Sequence, residues 1–125
     1  MSPADLNTPL TLTSHVDIAA KTSTVTATGL DISGYTGGLV CIQQVGTVSG
    51  TSPTLDGKWQ SSTDNSTFTD ISGATHAQVT ASNSTTKTGF VPNAAAKYIR
   101  YVGTIAGTSP SFTMGVTILG QKQRV

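Results

Sequence analysis

Few side chains in this sequence could carry acid–base or metal chemistry, and they lie far apart. His15 and His76 are the only histidines, Cys41 is the only cysteine, and glutamate is absent. A tetrahedral metal site needs several imidazole, thiolate or carboxylate ligands. Hydrolysis by a serine needs a neighbouring base and a strained turn such as Gly-x-Ser-x-Gly. Neither pattern occurs, so we expect a non-enzymatic protein with no catalytic residue, no metal and no cofactor.

The aspartates are the remaining candidates for chemistry. Asp64, Asn65 and Asp70 could offer oxygen ligands to calcium, but their spacing does not match an EF-hand loop. Glycoside hydrolysis needs two carboxylates across a cleft. Most aspartates here sit in turn signals, where Asp caps its own backbone. We therefore expect these carboxylates to be structural.

Two aromatic residues, Trp59 and Tyr35, are candidates for stacking on a sugar ring. An exposed indole buries a large apolar area at small entropic cost. This interpretation gives the alternative function, a carbohydrate-binding or adhesive module. In the competing interpretation, which we prefer, Trp59 fills the core or a contact between subunits.

The elements that position these residues are strands, because apolar residues recur with period two and not at the 3.6-residue helical spacing. Residues 112–119 place Phe112, Met114, Val116 and Ile118 on one face. Residues 39–48 carry apolar side chains on both faces, which predicts a central strand covered twice. Further strands are expected at 9–18, 23–30, 58–61, 67–71, 76–81, 88–91 and 98–105. The pattern predicts an all-β fold, an antiparallel β-sandwich or jelly roll of about seven to nine short strands.

Residues 42–55 and 99–112 read almost alike. In each, two alternating runs flank a Gly-Thr-Ser-Pro segment, which predicts the same β-hairpin twice. The tips of these hairpins would form a repeated surface at one end of the sandwich. The repeat is compatible with an ancient duplication or with one loop used twice, and the divergent flanks favour the second.

Composition limits the partners of this chain. Charged residues make up 10% of its 125 residues and the formal net charge is +1, so no positive field favours nucleic acid. No run is long enough for a membrane span, and the N-terminus lacks a secretory signal, so we expect synthesis in the cytoplasm and no membrane partner. Residues 9–120 should form one domain between an N-terminal arm, 1–8, and a C-terminal tail, 121–125. Cys41 should be a buried, reduced thiol.

The segment Trp-Gln-Ser-Ser-Thr-Asp-Asn-Ser-Thr-Phe-Thr-Asp-Ile at 59–71, with Lys-Tyr-Ile-Arg-Tyr-Val-Gly-Thr at 97–104, resembles β-sandwich proteins that decorate or cement the capsids of tailed phages. The resemblance covers about residues 38–120. It implies a virion structural protein on the capsid surface that bridges major capsid subunits and stabilises the mature lattice. It also implies a homo-oligomer, with a trimer on local three-fold positions as the expected form.

The same two segments also resemble discoidin-like carbohydrate-binding modules. Asn65 stands where those modules carry a turn glycine, and Lys97 stands where they carry a first arginine. This second resemblance agrees with the alternative function. For the capsid, the expected contact residues lie in the terminal arms and at the loop tips: Pro3, Leu6, Arg124, Thr51, Ser52, Pro53, Thr108, Ser109 and Pro110.

Overall fold

The computed structural model describes residues 10–122, which form seven β-strands and no helix. The all-β, antiparallel fold class is confirmed. Within the described residues no helix is long and apolar enough to cross a membrane. The strands are β1 (Leu10–Lys21), β2 (Val25–Thr26), β3 (Leu30–Asp31), β4 (Tyr35–Ser62), β5 (Thr69–Thr75), β6 (Ser84–Phe90) and β7 (Tyr98–Lys122).

The two long strands, β4 and β7, organise the fold. They pair antiparallel along their whole lengths, from Tyr35 opposite Lys122 to Ser62 opposite Tyr98. Irregularities in the pairing around Thr51 interrupt the ladder at its middle, where bulges bend strands. All seven strands belong to one hydrogen-bonded sheet, which folds at these bends into two layers. We call the layers the first and second sheets, and each long strand contributes one half to each.

The first sheet has the order β1, residues 111–122 of β7, residues 35–49 of β4, then β6. The second sheet has β2 and β3, residues 98–106 of β7, residues 54–62 of β4, then β5. The two sheets pack face to face, since Trp59 of the second sheet stacks on His15 of the first at a centroid distance of 5.4 Å. The result is a β-sandwich.

The two predicted hairpins are wrong. Residues 98–105 do not pair with residues 112–119. They pair with β4 near its C-terminal end, whereas residues 112–119 lie between β1 and the N-terminal half of β4. Both Gly-Thr-Ser-Pro segments lie in the bends of the long strands. A hairpin turn and a bend within a strand both interrupt the alternation and favour glycine at positive φ, so the local pattern does not distinguish them.

An approximate two-fold axis relates the two bends. Gly50 and Gly107 have φ values of 109° and 120°, and Ser52 and Ser109 have φ values of 49° and 48°. A Cβ atom on Gly50 would lie 2.6 Å from the carbonyl oxygen of Ser109, and one on Gly107 would lie 2.8 Å from that of Ser52. The same axis matches β1, which flanks β7, to β5, which flanks β4. The two repeated segments therefore occupy equivalent positions in the fold.

The core lies between the two sheets and follows the predicted alternation. Phe112, Met114, Val116 and Ile118 are all buried. Cys41 is a buried free thiol, as predicted, and burial raises its pKa to about 12, so the thiol is protonated.

Several details differ from the sequence predictions. Only the two short strands β2 and β3 form where one strand was expected at 23–30. Residues 76–81 contribute only an isolated bridge between Val79 and Leu55. β7 continues through Gln121, which was assigned to the C-terminal tail, because Gln121 pairs with both β1 and β4. β4 is central as predicted, but Val40 on its outer face is 39% exposed, so residues 10–122 cover only one of its faces. Residues 1–9 and 123–125, and with them the predicted arm, lie outside the described residues.

Substituting the bend glycines tests this close packing. We expect Gly50→Ala and Gly107→Ala each to lower the free energy of unfolding by about 2–3 kcal/mol, through a disfavoured φ and a backbone clash. Gly73 also has a positive φ, 78°, but nothing lies within 4 Å of its would-be Cβ. Gly73→Ala is the matched control and should cost about 1 kcal/mol. Equal losses for all three variants in urea unfolding would contradict the packing.

Candidate functional site

The six loop residues predicted to contact a partner come together at the two bends. Thr51 and Thr108 are opposite each other in the pairing of β4 with β7. The threonine and serine side chains are exposed and the two prolines are half-buried. We call this surface the bend ridge, and it comprises Thr51, Ser52, Pro53, Thr108, Ser109 and Pro110.

The backbone of the bend ridge is held in an uncommon conformation. Ser52 and Ser109 adopt left-handed φ values, which non-glycine residues rarely adopt. Such conformations persist when the surrounding structure determines them. Here the close approach of Gly50 and Gly107 to the opposite bend supplies that constraint. The ridge therefore presents two equivalent sets of uncharged hydroxyl groups on closely packed backbone, which suits hydrogen bonding to a polar protein surface.

Trp59 lies in the core, so the predicted glycan contact at this residue is wrong and the core interpretation is confirmed. Its side chain is 0% exposed. The indole is surrounded by the rings of His15, Tyr101 and Phe90, at centroid distances of 5.4, 5.6 and 6.1 Å. A fully buried ring has no face on which a sugar can stack.

A chain of hydrogen bonds crosses the core from Trp59. The indole Nε1–H donates to Nε2 of His76 over 2.9 Å, and His76 Nδ1 lies 3.1 Å from the hydroxyl oxygen of Thr86. Gln43 Nε2 donates to the same hydroxyl oxygen over 3.2 Å, and the Tyr101 hydroxyl donates to Gln43 Oε1. Because an indole can only donate, Nε2 of His76 must accept, so the proton of the neutral ring is on Nδ1. This chain links the two sheets.

Both histidines are neutral structural groups. Burial lowers the pKa of His15 and of His76 to about 4. His15 Nε2 accepts a hydrogen bond from the backbone N–H of Tyr101 over 3.1 Å. Because core hydrogen bonds occupy the accepting nitrogen of each ring, these rings have no free lone pair for a metal or for a substrate proton.

The two aspartates considered for calcium are engaged in the chain's own structure. Asp64 accepts hydrogen bonds from the backbone N–H groups of Thr67 and Ser66, which hold the pKa of its carboxyl below the usual range. Asp70 accepts from Gln60 and forms an ion pair of 3.1 Å with Lys58. Across residues 10–122, no group of three or more His, Cys, Asp or Glu side chains is placed to hold a metal ion.

Tyr35 lines a pocket of about 370 Å³ at the opposite end of the sandwich from the bend ridge. Its hydroxyl shares a hydrogen bond of 2.9 Å with Thr13. The pocket is formed where β4 begins and where the chain passes from β6 to β7. Apolar side chains dominate its wall, with an amide and an ammonium group among the lining residues, which include Ile32, Leu39, Pro92, Asn93 and Lys97.

Sequence reasoning missed Asn93 and Lys97 as pocket residues, because they lie in a connection without alternation. It also missed the buried pair Gln43 and Tyr101. Gln43 alternates with Leu39, Cys41 and Val45 on one face of the strand. This position could have indicated that Gln43 is a buried polar residue.

The chain matches the model of a family described as Domain of unknown function (DUF8696) over residues 7–118. It belongs to this family. The DUF8696 match includes both bends and most of the two long strands. No curated protein matches the sequence. The family description names no activity.

Acidification should begin to destabilise the protein at pH values well above those at which carboxylates take up protons. The ordinary histidine pKa is about 6.5, so the unfolded chain takes up protons below that pH while the folded chain does not until about pH 4. The free energy of unfolding should therefore fall between pH 6.5 and 4, by up to about 1.4 kcal/mol per pH unit for each histidine.

Urea unfolding measured from pH 7.5 to 4.5 checks this slope. His76→Gln keeps an acceptor for the indole and a donor for Thr86, and it should remove about half of the slope. A stability that stays constant from pH 7 to pH 5 would show that the histidines are not buried as described.

Truncation of Trp59 tests its core position. We expect Trp59→Ala to lower the free energy of unfolding by about 3–5 kcal/mol. Trp59→Phe keeps most of the apolar ring but leaves Nε2 of His76 without its donor, at a cost of about 1–3 kcal/mol. Thermal or urea unfolding gives both values, and an Ala variant as stable as the wild type would contradict the burial.

Proposed function

We propose that this DUF8696 protein is a non-enzymatic virion structural protein that decorates or cements a phage capsid shell. In this role it binds the major capsid protein at the capsid surface as a homo-oligomer, bridges neighbouring subunits and stabilises the mature lattice. The host cytoplasm is the proposed place of synthesis.

The bend ridge is the observation that carries the proposal. Two equivalent segments with exposed hydroxyl groups, Thr51–Pro53 and Thr108–Pro110, stand side by side where each bend packs closely against the other. A closely packed backbone loses little conformational entropy when it binds. The ridge is uncharged and rich in hydroxyl groups, so it suits a polar protein surface. The two sequence segments that resemble phage decoration proteins agree with this role.

The mechanism we propose is linkage between binding and lattice stability. A protein that binds only the mature arrangement of capsid subunits stabilises that arrangement by its binding free energy. Pro3, Leu6 and Arg124 remain proposed additional contacts, and they lie outside the described residues.

Rebinding to stripped capsids tests the proposal. Mature particles of the phage that encodes this chain would be freed of the protein, mixed with recombinant protein and heated while light scattering reports shell disruption. We expect the wild-type protein to rebind and to raise the disruption temperature. Ridge variant Thr51→Arg/Thr108→Arg should fail to rebind, whereas Thr63→Arg/Thr67→Arg, at exposed positions away from the ridge, should rebind.

Two results would contradict the proposal. One is the absence of the protein from purified particles. The other is a stripped shell that resists heat as well as a decorated one.

One specific observation, the pocket beside Tyr35, supports the carbohydrate-binding alternative. A tyrosine ring with an amide and an ammonium group nearby can bind a polar ring through stacking and hydrogen bonds. A glycan array with wild-type protein and Tyr35→Ala tests it. Binding that the variant loses while its thermal unfolding stays near wild type would favour this alternative.

A further inference from the structure

The outer face of the first sheet is apolar, and among residues 10–122 no strand packs over it. Leu12, Leu119 and Val40 are direct neighbours in a row that crosses β1, β7 and β4. Leu12 is 65% exposed and Val40 is 39% exposed. Leu10 and Ile18 on β1 are 62% and 70% exposed. We call this surface the first-sheet face, and it comprises Leu10, Leu12, Ile18, Val40, Ile42 and Leu119.

The outer face of the second sheet is different, although the approximate two-fold axis relates the two sheets. Lys58 forms its ion pair with Asp70 there, and Arg100 donates to Gln60 over 2.8 Å. The Arg100 guanidinium also lies 4.0 Å from the centroid of the Phe68 ring. This network suits contact with water. A contiguous apolar surface on the related sheet is instead typical of an interface between proteins.

The two edges of the first sheet are complementary in charge. One row of the sheet runs from Ser14 on β1 through β7 and β4 to Lys87 on β6. The Asp17 carboxylate accepts a hydrogen bond from the Ser14 hydroxyl over 2.8 Å, so a negative group lies at the β1 end of this row. Lys87 is exposed at the β6 end. An acid and a base therefore stand at the same level on opposite edges.

The strand directions also fit a continuation of the sheet. β1 is antiparallel to β7, β7 to β4, and β4 to β6, so β1 and β6 run in opposite directions. Within the described residues, β1 pairs only with β7 and β6 only with β4. A β1 strand placed beside β6 of another copy would keep the antiparallel order and bring Asp17 level with Lys87.

We propose that three copies of this chain associate with their first-sheet faces toward a common three-fold axis, each β1 beside β6 of the next copy. Such a contact uses two different edges and closes as a ring. It buries the apolar face and removes both free edges, whereas two copies packed face to face would leave the edges unpaired. The charged face of the second sheet points to solvent. The inference rests on the homo-oligomer in the proposed function and adds the surface that forms it.

The native mass of the full chain tests this arrangement by light scattering on a sizing column. We expect three times the chain mass of 12.8 kDa. Leu12→Ser should raise the concentration needed for assembly at least tenfold. The control is Thr104→Ala, at an exposed position paired with Asp56 in the second sheet, and it should remain trimeric.

Charge reversal tests the edges separately. Asp17→Lys and Lys87→Asp should each weaken the trimer, and the double variant should restore it. A wild-type protein with the mass of one or two chains would overturn the inference. So would a trimer that neither Leu12→Ser nor the single reversals weaken.

The tests of the trimer and the test of capsid binding can fail independently of each other. A monomer that rebinds stripped shells would remove the trimer and leave decoration intact. A trimer that responds to the variants as expected but never binds shells would retain the inference and contradict the proposed function.

Discussion

The close approach of the two bends, at Gly50 and Gly107, determines how both long strands and the two sheets are arranged. Each glycine leaves room for the backbone of the opposite Ser-Pro segment, and a methyl group at either position would overlap it. Because the bends pair with each other, both long strands change sheets at the same place. Two sheets can then face each other with a single core, and the bend ridge is held on the outside of the same contact.

A second link between the two sheets lies in the core and consists of hydrogen bonds between side chains. Trp59 and Tyr101 of the second sheet share a hydrogen-bond chain with Gln43 and Thr86 of the first. None of the buried side-chain nitrogen and oxygen atoms among the described residues lacks a partner. A buried polar chain of this kind favours one relative placement of the sheets, because a shift would leave polar groups unpaired. The cost is that His76 must stay neutral, which couples the fold to pH.

Local patterns predicted much of this structure. The alternation in residues 112–119 placed all four core side chains correctly, and the turn signals around Asp64 located a carboxylate that caps its own backbone. These features depend on neighbours in sequence. The pairing of the two Gly-Thr-Ser-Pro segments could not be read in this way, because it joins residues half a chain apart. Their local pattern fits a hairpin equally well.

The apolar side chains on both faces of residues 39–48 show a second limit of prediction from sequence. They predicted that two layers would cover this part of β4, and the part of the chain that the structure describes supplies only one. Apolar side chains in a sequence predict that a surface will be buried, but they do not show which molecule buries it. In our account a neighbouring copy supplies the second layer, and this explains why the related second sheet carries charges at its outer face instead.

The central claim is that the repeated segments are paired bends and not two hairpin tips. Nuclear Overhauser effects from isotope-labelled protein test it most directly. The account predicts cross-strand contacts between Leu55 and Ile105 and between Val48 and Phe112, which are opposite each other in β4 and β7. Contacts that instead pair residues 98–105 with residues 112–119 as one hairpin would contradict it.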